Sequence, residues 1–116
     1  MIIQKRKCHL ASFLKTGKDD EGNPINIYDE PIVFECSLNS VDAEYEIAIF
    51  GDKVNKMFKT VLDYKQWINK IKEKDAIYLF DSNPDNEYNH GDNSNYFVSS
   101  VRPQNKKIIV YFEKRI

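Results

Sequence analysis

Ile32-Val33-Phe34-Glu35-Cys36-Ser37-Leu38-Asn39 is the clearest period-two stretch in this chain: Ile32, Phe34, Cys36 and Leu38 alternate with Val33, Glu35, Ser37 and Asn39. Successive side chains of a strand point to opposite faces, so the pattern predicts a strand with one buried face. Upstream, Ile2 to Leu14 carries Ile2, Cys8, Leu10 and Leu14 at even positions, interrupted by Gln4, Arg6 and Ser12, with Lys5, Lys7 and His9 opposite. That is a second strand with one imperfect face. Between them Gly17 to Pro24 is a polar, turn-rich link and Ile25 to Tyr28 resumes a short strand, so a hairpin with a long loop is expected.

Downstream, Asp42 is placed to cap a short helix through Phe50, with Val41, Tyr45, Ala48 and Ile49 on one side and Gly51 as its stop. Lys53 to Val61 reads as a strand, with Val54 and Phe58 on one face and Met57 and Val61 on the other. Asp63 followed by Gln66 has the form of a capping box. Tyr64, Trp67, Ile68 and Ile71 then fall at helical spacing, which predicts a short amphipathic helix packing its Trp67 face on the sheet. Ala76 to Phe80, Tyr96 to Val101 and Lys107 to Glu113 complete the strands, with Arg102-Pro103-Gln104-Asn105 as a tight connection.

Six or seven short strands with one or two short α-helices predict a mainly β fold, a small closed or nearly closed β-barrel, because closure removes unpaired sheet edges. The 116 residues suit a single domain over 1–116, without repeat or linker. With 41% hydrophobic and 13% aromatic residues the chain has enough apolar surface to fold despite 30% charged residues. Lys and Arg number 17 against 18 Asp and Glu, a net charge of -1, so no overall pull toward nucleic acid or an anionic membrane exists. Lys5-Arg6-Lys7 alternates across a strand and reads as a solvated edge. No apolar run approaches the roughly 20 residues of a membrane span, so a soluble chain that is not exported, with no membrane partner, is expected. Cys8 and Cys36 fall on the apolar faces of two strands without zinc-ligand spacing. Buried reduced thiols are expected, with a bridge between adjacent strands as the alternative.

Asp81, Asn83, Asp85 and Asp92 occupy the first, third, fifth and twelfth places of a calcium-loop pattern. Asn86 stands where that pattern wants Gly, Asp92 stands where it wants Glu, and Pro84 interrupts it, so a polar loop without useful calcium affinity is expected. His9 and His90 have no neighbouring nucleophile motif, and Gly17, Gly22, Gly51 and Gly91 are scattered singly, so no phosphate loop forms. No catalytic residue, cofactor or metal is expected, and hence no enzyme. Tyr111 and Phe112 beside Lys106, Lys107, Lys114 and Arg115 offer an alternative, a stacking surface for single-stranded nucleic acid, against which stands core packing of the rings.

Five segments occur in order: Asp20-Glu21-Gly22-Asn23-Pro24; Phe50-Gly51-Asp52-Lys53-Val54-Asn55-Lys56-Met57; Lys74-Asp75-Ala76-Ile77-Tyr78; Tyr96-Phe97-Val98-Ser99-Ser100-Val101-Arg102-Pro103; and Ile108-Ile109-Val110-Tyr111-Phe112-Glu113. Together they resemble the small head-closure (stopper, or head-tail connector) proteins of long-tailed bacteriophages over most of the chain. The resemblance implies a structural virion protein at the head-tail junction, assembled in the bacterial host cytoplasm. It would dock beneath the portal and adaptor proteins, close the DNA channel after packaging and offer a platform to tail proteins. It also implies a ring homo-oligomer of roughly six or twelve copies in the virion, a monomer or weak oligomer alone, and non-specific proximity to double-stranded DNA. The long Asp81 to Asn95 loop departs from the family's pattern.

The family's channel-closing element maps to Ser40 through Lys59. There acidic Asp42, Glu44, Glu46 and Asp52 precede basic Lys53, Lys56 and Lys59, with Tyr45 among them, a strip suited to facing DNA phosphates or a neighbouring subunit. The alternative is that Tyr45, Ile49, Phe50, Val54 and Phe58 are ordinary core and the charges their solvated side. A tail terminator or tail-completion ring protein, and a single-strand nucleic-acid-binding barrel, are the rival functions.

Overall fold

The computed structural model describes residues 5–80 and 94–115; the calcium-like Asp81 to Asp92 loop, with His90, lies outside them. The described strands are β1 (Lys5–Ala11), β2 (Phe13–Lys18), β3 (Pro24–Tyr28), β4 (Ile32–Ser37), β5 (Asn39–Ser40), β6 (Met57–Asp63), β7 (Ala76–Tyr78), β8 (Tyr96–Gln104) and β9 (Lys107–Lys114). Helices α1 (Glu44–Phe50) and α2 (Tyr64–Trp67) and a 3-10 helix (Gly51–Lys56) are short. The main sheet is seven-stranded in the order β4-β1-β7-β8-β9-β6-β5, antiparallel at every pairing.

Leu38 closes that sheet. β4 and β5 lie on its opposite edges, yet only Leu38 separates them in sequence, and consecutive Cα atoms are about 3.8 Å apart. The two edges must therefore meet, and the sheet rolls into the expected nearly closed barrel. Inward alternation fills it: Cys8, Leu10, Phe34, Cys36, Ile77, Val98, Ile108, Val110 and Phe112 form one buried cluster. Cys8 and Cys36 are free, with their Sγ atoms 3.1 Å apart across β1 and β4.

The first four strands are one long hairpin. Pairing runs from Lys5 opposite Ser37 to Lys18 opposite Pro24, broken by a register shift between Phe13 and Lys15. Beyond Ser12 the β2–β3 half leaves the barrel as a separate two-stranded arm, which accords with the elongated 47 × 29 × 26 Å molecule. Leu14, expected on a buried face, is 56% exposed on that arm. The turn is tighter than the predicted long loop. Asp19 Oδ1 accepts the N–H groups of Glu21 (3.0 Å) and Asn23 (2.8 Å), and Gly22 takes φ 83, which glycine adopts without penalty.

Several boundaries differ from the sequence reading, each for a local reason. Lys53 to Lys56 is a 3-10 helix rather than a strand, because β9 gives β6 its last partner at Glu113, opposite Met57. Helix α2 has one turn, opened as expected by Asp63 accepting from the Gln66 N–H (3.0 Å) but followed within two residues by the left-handed Asn69. Trp67 still packs on Phe34, ring centroids 4.9 Å apart. β8 runs through Arg102 and Pro103, and its turn to β9 falls on Asn105 and Lys106. Among the described residues β7 pairs with β8 only at Tyr96 and Phe97, so Pro103 has a partner on one side alone and its missing N–H costs little.

The root of the arm hangs on one buried carboxylate. Asp75 is fully buried and accepts the N–H groups of Phe13 (2.8 Å) and Lys72 (3.0 Å) and the Lys72 ammonium (3.1 Å). Replacing it removes a buried acceptor from two backbone donors and from the Lys72 ammonium, so Asp75→Ala should cost about 3 kcal/mol in denaturant unfolding. Lys72→Ala, which removes only a half-exposed cation, should cost less than about 1 kcal/mol. Equal losses from the two would contradict this assignment.

Candidate functional site

Helix α1 has seven residues, far too few to persist alone in water, so tertiary contacts must hold it. It lies on the outward side of β6 and β9, where strand register sets Lys59 beside Tyr111 and Tyr111 beside Ser100. The contact is polar at its centre. Glu46 is fully buried; its Oε2 accepts the Tyr111 hydroxyl (2.7 Å) and the Lys59 ammonium (2.9 Å), and its Oε1 accepts Lys59 (3.0 Å) and the Ala43 N–H (3.1 Å). Ala43, at the N-cap, has no side-chain oxygen, so only the return half of a capping box is made.

Burial alone pushes the Glu46 carboxyl up, but Lys59, Tyr111 and the Ala43 N–H together outweigh it and hold the group below its ordinary 4.5. The Tyr111 hydroxyl is pushed up, first by burial and then by Glu46 beside it. An ionised carboxylate thus faces an ammonium and a protonated phenol. Val41, Met57 and Tyr111 surround it as a small buried cluster with Phe50 and Val54 against them, and the Phe50 ring centroid lies 4.9 Å from that of Tyr111.

Burying Glu46 turns the helix round. The sequence assigns Val41, Tyr45, Ala48 and Ile49 to a packed side. In the fold only Val41 is buried, Ala48 is exposed, and Tyr45, Ile47 and Ile49 are 54%, 47% and 50% exposed. Asp42 does not cap the helix; Ala43 stands at that position. Of the predicted charged strip, Asp42, Glu44, Asp52, Lys53 and Lys56 are exposed, whereas Glu46 is sealed and Lys59 is committed to it. Phe58 turns inward to the core with Phe80 and Tyr96. The structure therefore joins Glu46 and Lys59 with Tyr111, a residue the sequence placed only in the core or on a stacking surface. The signal for Tyr111 was its place in the outward register of β9, one row from Ile109.

α1 covers only part of the convex face. Val61, Ile109 and Arg102 form the next outward row, and Asp63, Lys107 and Gln104 the one after it. Val61 is 48% exposed. Tyr45, Arg102 and Ile109 line one shallow cleft there, and Val61, Ile109, Lys106 and Lys107 line a second of about 700 Å³. The Arg102 guanidinium lies 5.9 Å from the Tyr111 ring centroid.

The Glu46 oxygens are fully engaged and shut away from solvent, so the triad acts as a clamp rather than a reacting group. Among the described residues no cluster of three or more His, Cys, Asp or Glu could hold a metal ion, and no helix is long and apolar enough to cross a membrane. No protein-family model, curated protein or solved structure matches the chain.

Glu46→Ala leaves the Tyr111 hydroxyl and Lys59 without their buried acceptor and should cost about 3 kcal/mol. The clamp's contribution is complete above the ordinary carboxyl value of 4.5 and is lost as pH falls through the lower native value, because the depressed group must take up a proton on unfolding. Denaturant midpoints of wild type should therefore fall on acidification below about pH 4.5 more steeply than those of Glu46→Gln. Parallel pH curves for the two proteins would contradict an ionised Glu46.

Proposed function

We propose that the chain is a structural protein of the head-tail connector of a long-tailed bacteriophage. It docks beneath the portal and adaptor ring, helps close the DNA channel after packaging and gives the tail its platform. One observation carries the reading beyond the sequence resemblance: a short helix anchored by Glu46 turns Tyr45, Ile47 and Ile49 outward. A cluster of exposed apolar side chains on a fixed element suits a surface that another protein covers. A connector of this kind works by binding neighbours and needs no reacting site.

Exposed Asp42, Glu44, Asp52, Lys53 and Lys56 flank those residues in sequence and are the groups available to face DNA phosphates or an adjoining subunit in the ring. Glu46 and Lys59 position the segment instead of meeting a partner.

In the phage that encodes the chain, Tyr45→Ser with Ile49→Ser removes exposed apolar area and should leave stability within about 0.5 kcal/mol. Particles carrying it should lose packaged DNA or fail to join tails. Heads that retain DNA and take tails normally with this variant, and with Glu44→Gln, Lys53→Gln and Lys56→Gln combined, would overturn the assignment of this segment.

A further inference from the structure

The root of the arm is tied to the barrel, with Tyr28 buried against Ala11 and Ala76 and bonded to Arg115, but its tip and the shelf beside α1 both stay exposed. Among the described residues β2 and β3 pair only with each other. A two-stranded hairpin is marginal in water by itself, yet this one exposes Leu14 on its flank and carries Asp19, Asp20 and Glu21 at its tip. Asp19 is spent on the turn, which leaves Asp20 and Glu21 as free acidic groups. Tyr45 and Ile109 line one part of the shelf, Val61 and Ile109 the other, and Arg102, Lys106 and Lys107 border them. One acid, Asp63, lies in that border and serves as the cap of α2. The described ion pairs are Lys59 with Glu46 and Lys72 with Asp75, so neither the tip acids nor the shelf cations are neutralised by ion pairs among the described residues.

We propose that the acidic tip of the arm of one copy docks on the basic, apolar shelf of the next. The shelf's bare cations and the tip's bare acids are complementary, and apolar Leu14 on the arm finds the Val61 and Ile109 floor. The two surfaces differ, so the contact is head-to-tail and repeats from copy to copy, closing into a ring where the rotation permits. This names the contact within the ring proposed above and rests on that reading for its setting. The contact itself needs only the purified chain.

The test reverses each side separately and measures association by sedimentation at near-millimolar chain concentration in low salt. Asp20→Lys with Glu21→Lys, and Lys106→Glu with Lys107→Glu, alter exposed side chains and leave Asp19, Glu46 and Asp75 in place. Each double variant alone should associate roughly tenfold or more weakly than wild type, since like charges then meet. Mixing the two, which restores opposite charges at both kinds of junction, should bring association back, and carbodiimide should then couple tip lysines to shelf carboxylates between chains. A wild-type chain that stays monomeric, variants that associate as wild type does, or a mixture that fails to recover would each overturn the proposal. None of these results bears on the particle phenotypes of the α1 variants, so the two readings fail separately.

Discussion

A single carboxylate holds helix α1 in place on the outer face of the barrel. Glu46 lies in the first turn of a helix too short to survive alone, and its two oxygens take up the Tyr111 hydroxyl, the Lys59 ammonium and the Ala43 N–H. A buried carboxylate is tolerable only with such company, since isolated ions in a protein interior are strongly disfavoured. The company also dictates orientation. Once Glu46 must reach inward, the residues around the helix axis from it face water, and these are Tyr45, Ile47 and Ile49. The apolar platform is therefore a consequence of the polar clamp.

Beneath the clamp lies a barrel whose closure follows from chain connectivity. One residue, Leu38, joins the two edge strands, so the sheet has no choice but to curl. Tyr111 and Lys59 are brought side by side on the convex face by the β6–β9 register, while Val110 and Phe112 on the same strand fill the interior. The arm depends in turn on Asp75, which ties Phe13 to the Lys72 turn at the place where β1 gives way to β2. Two buried carboxylates thus fix the two projecting parts of the molecule.

The barrel was legible because strand periodicity reports burial directly: Phe34 and Cys36, or Ile108 and Val110, declare their inward face by alternation. The α1 face was misread for the same reason. Helical spacing of Tyr45, Ala48 and Ile49 argues for a packed side wherever apolar burial decides, and here a charged hydrogen-bond network between residues 65 positions apart decides instead. Nothing local to Glu46 distinguishes it from Glu44. Lys53 to Lys56 was misread as strand because its composition permits extension, whereas pairing partners run out at Glu113, a fact of register rather than of sequence. Pro103 misled in the opposite direction, reading as a turn where, among the described residues, a strand partnered on one side alone accommodates it.

Oxidative footprinting of the tyrosines tests the central claim most directly, since it reports which side of α1 faces water. The account predicts rapid modification of Tyr45 together with protection of Tyr111 in the native chain, and loss of that contrast on unfolding. Protection of Tyr45 to the level of Tyr111 would show the helix packed on its apolar side and would contradict the Glu46 clamp.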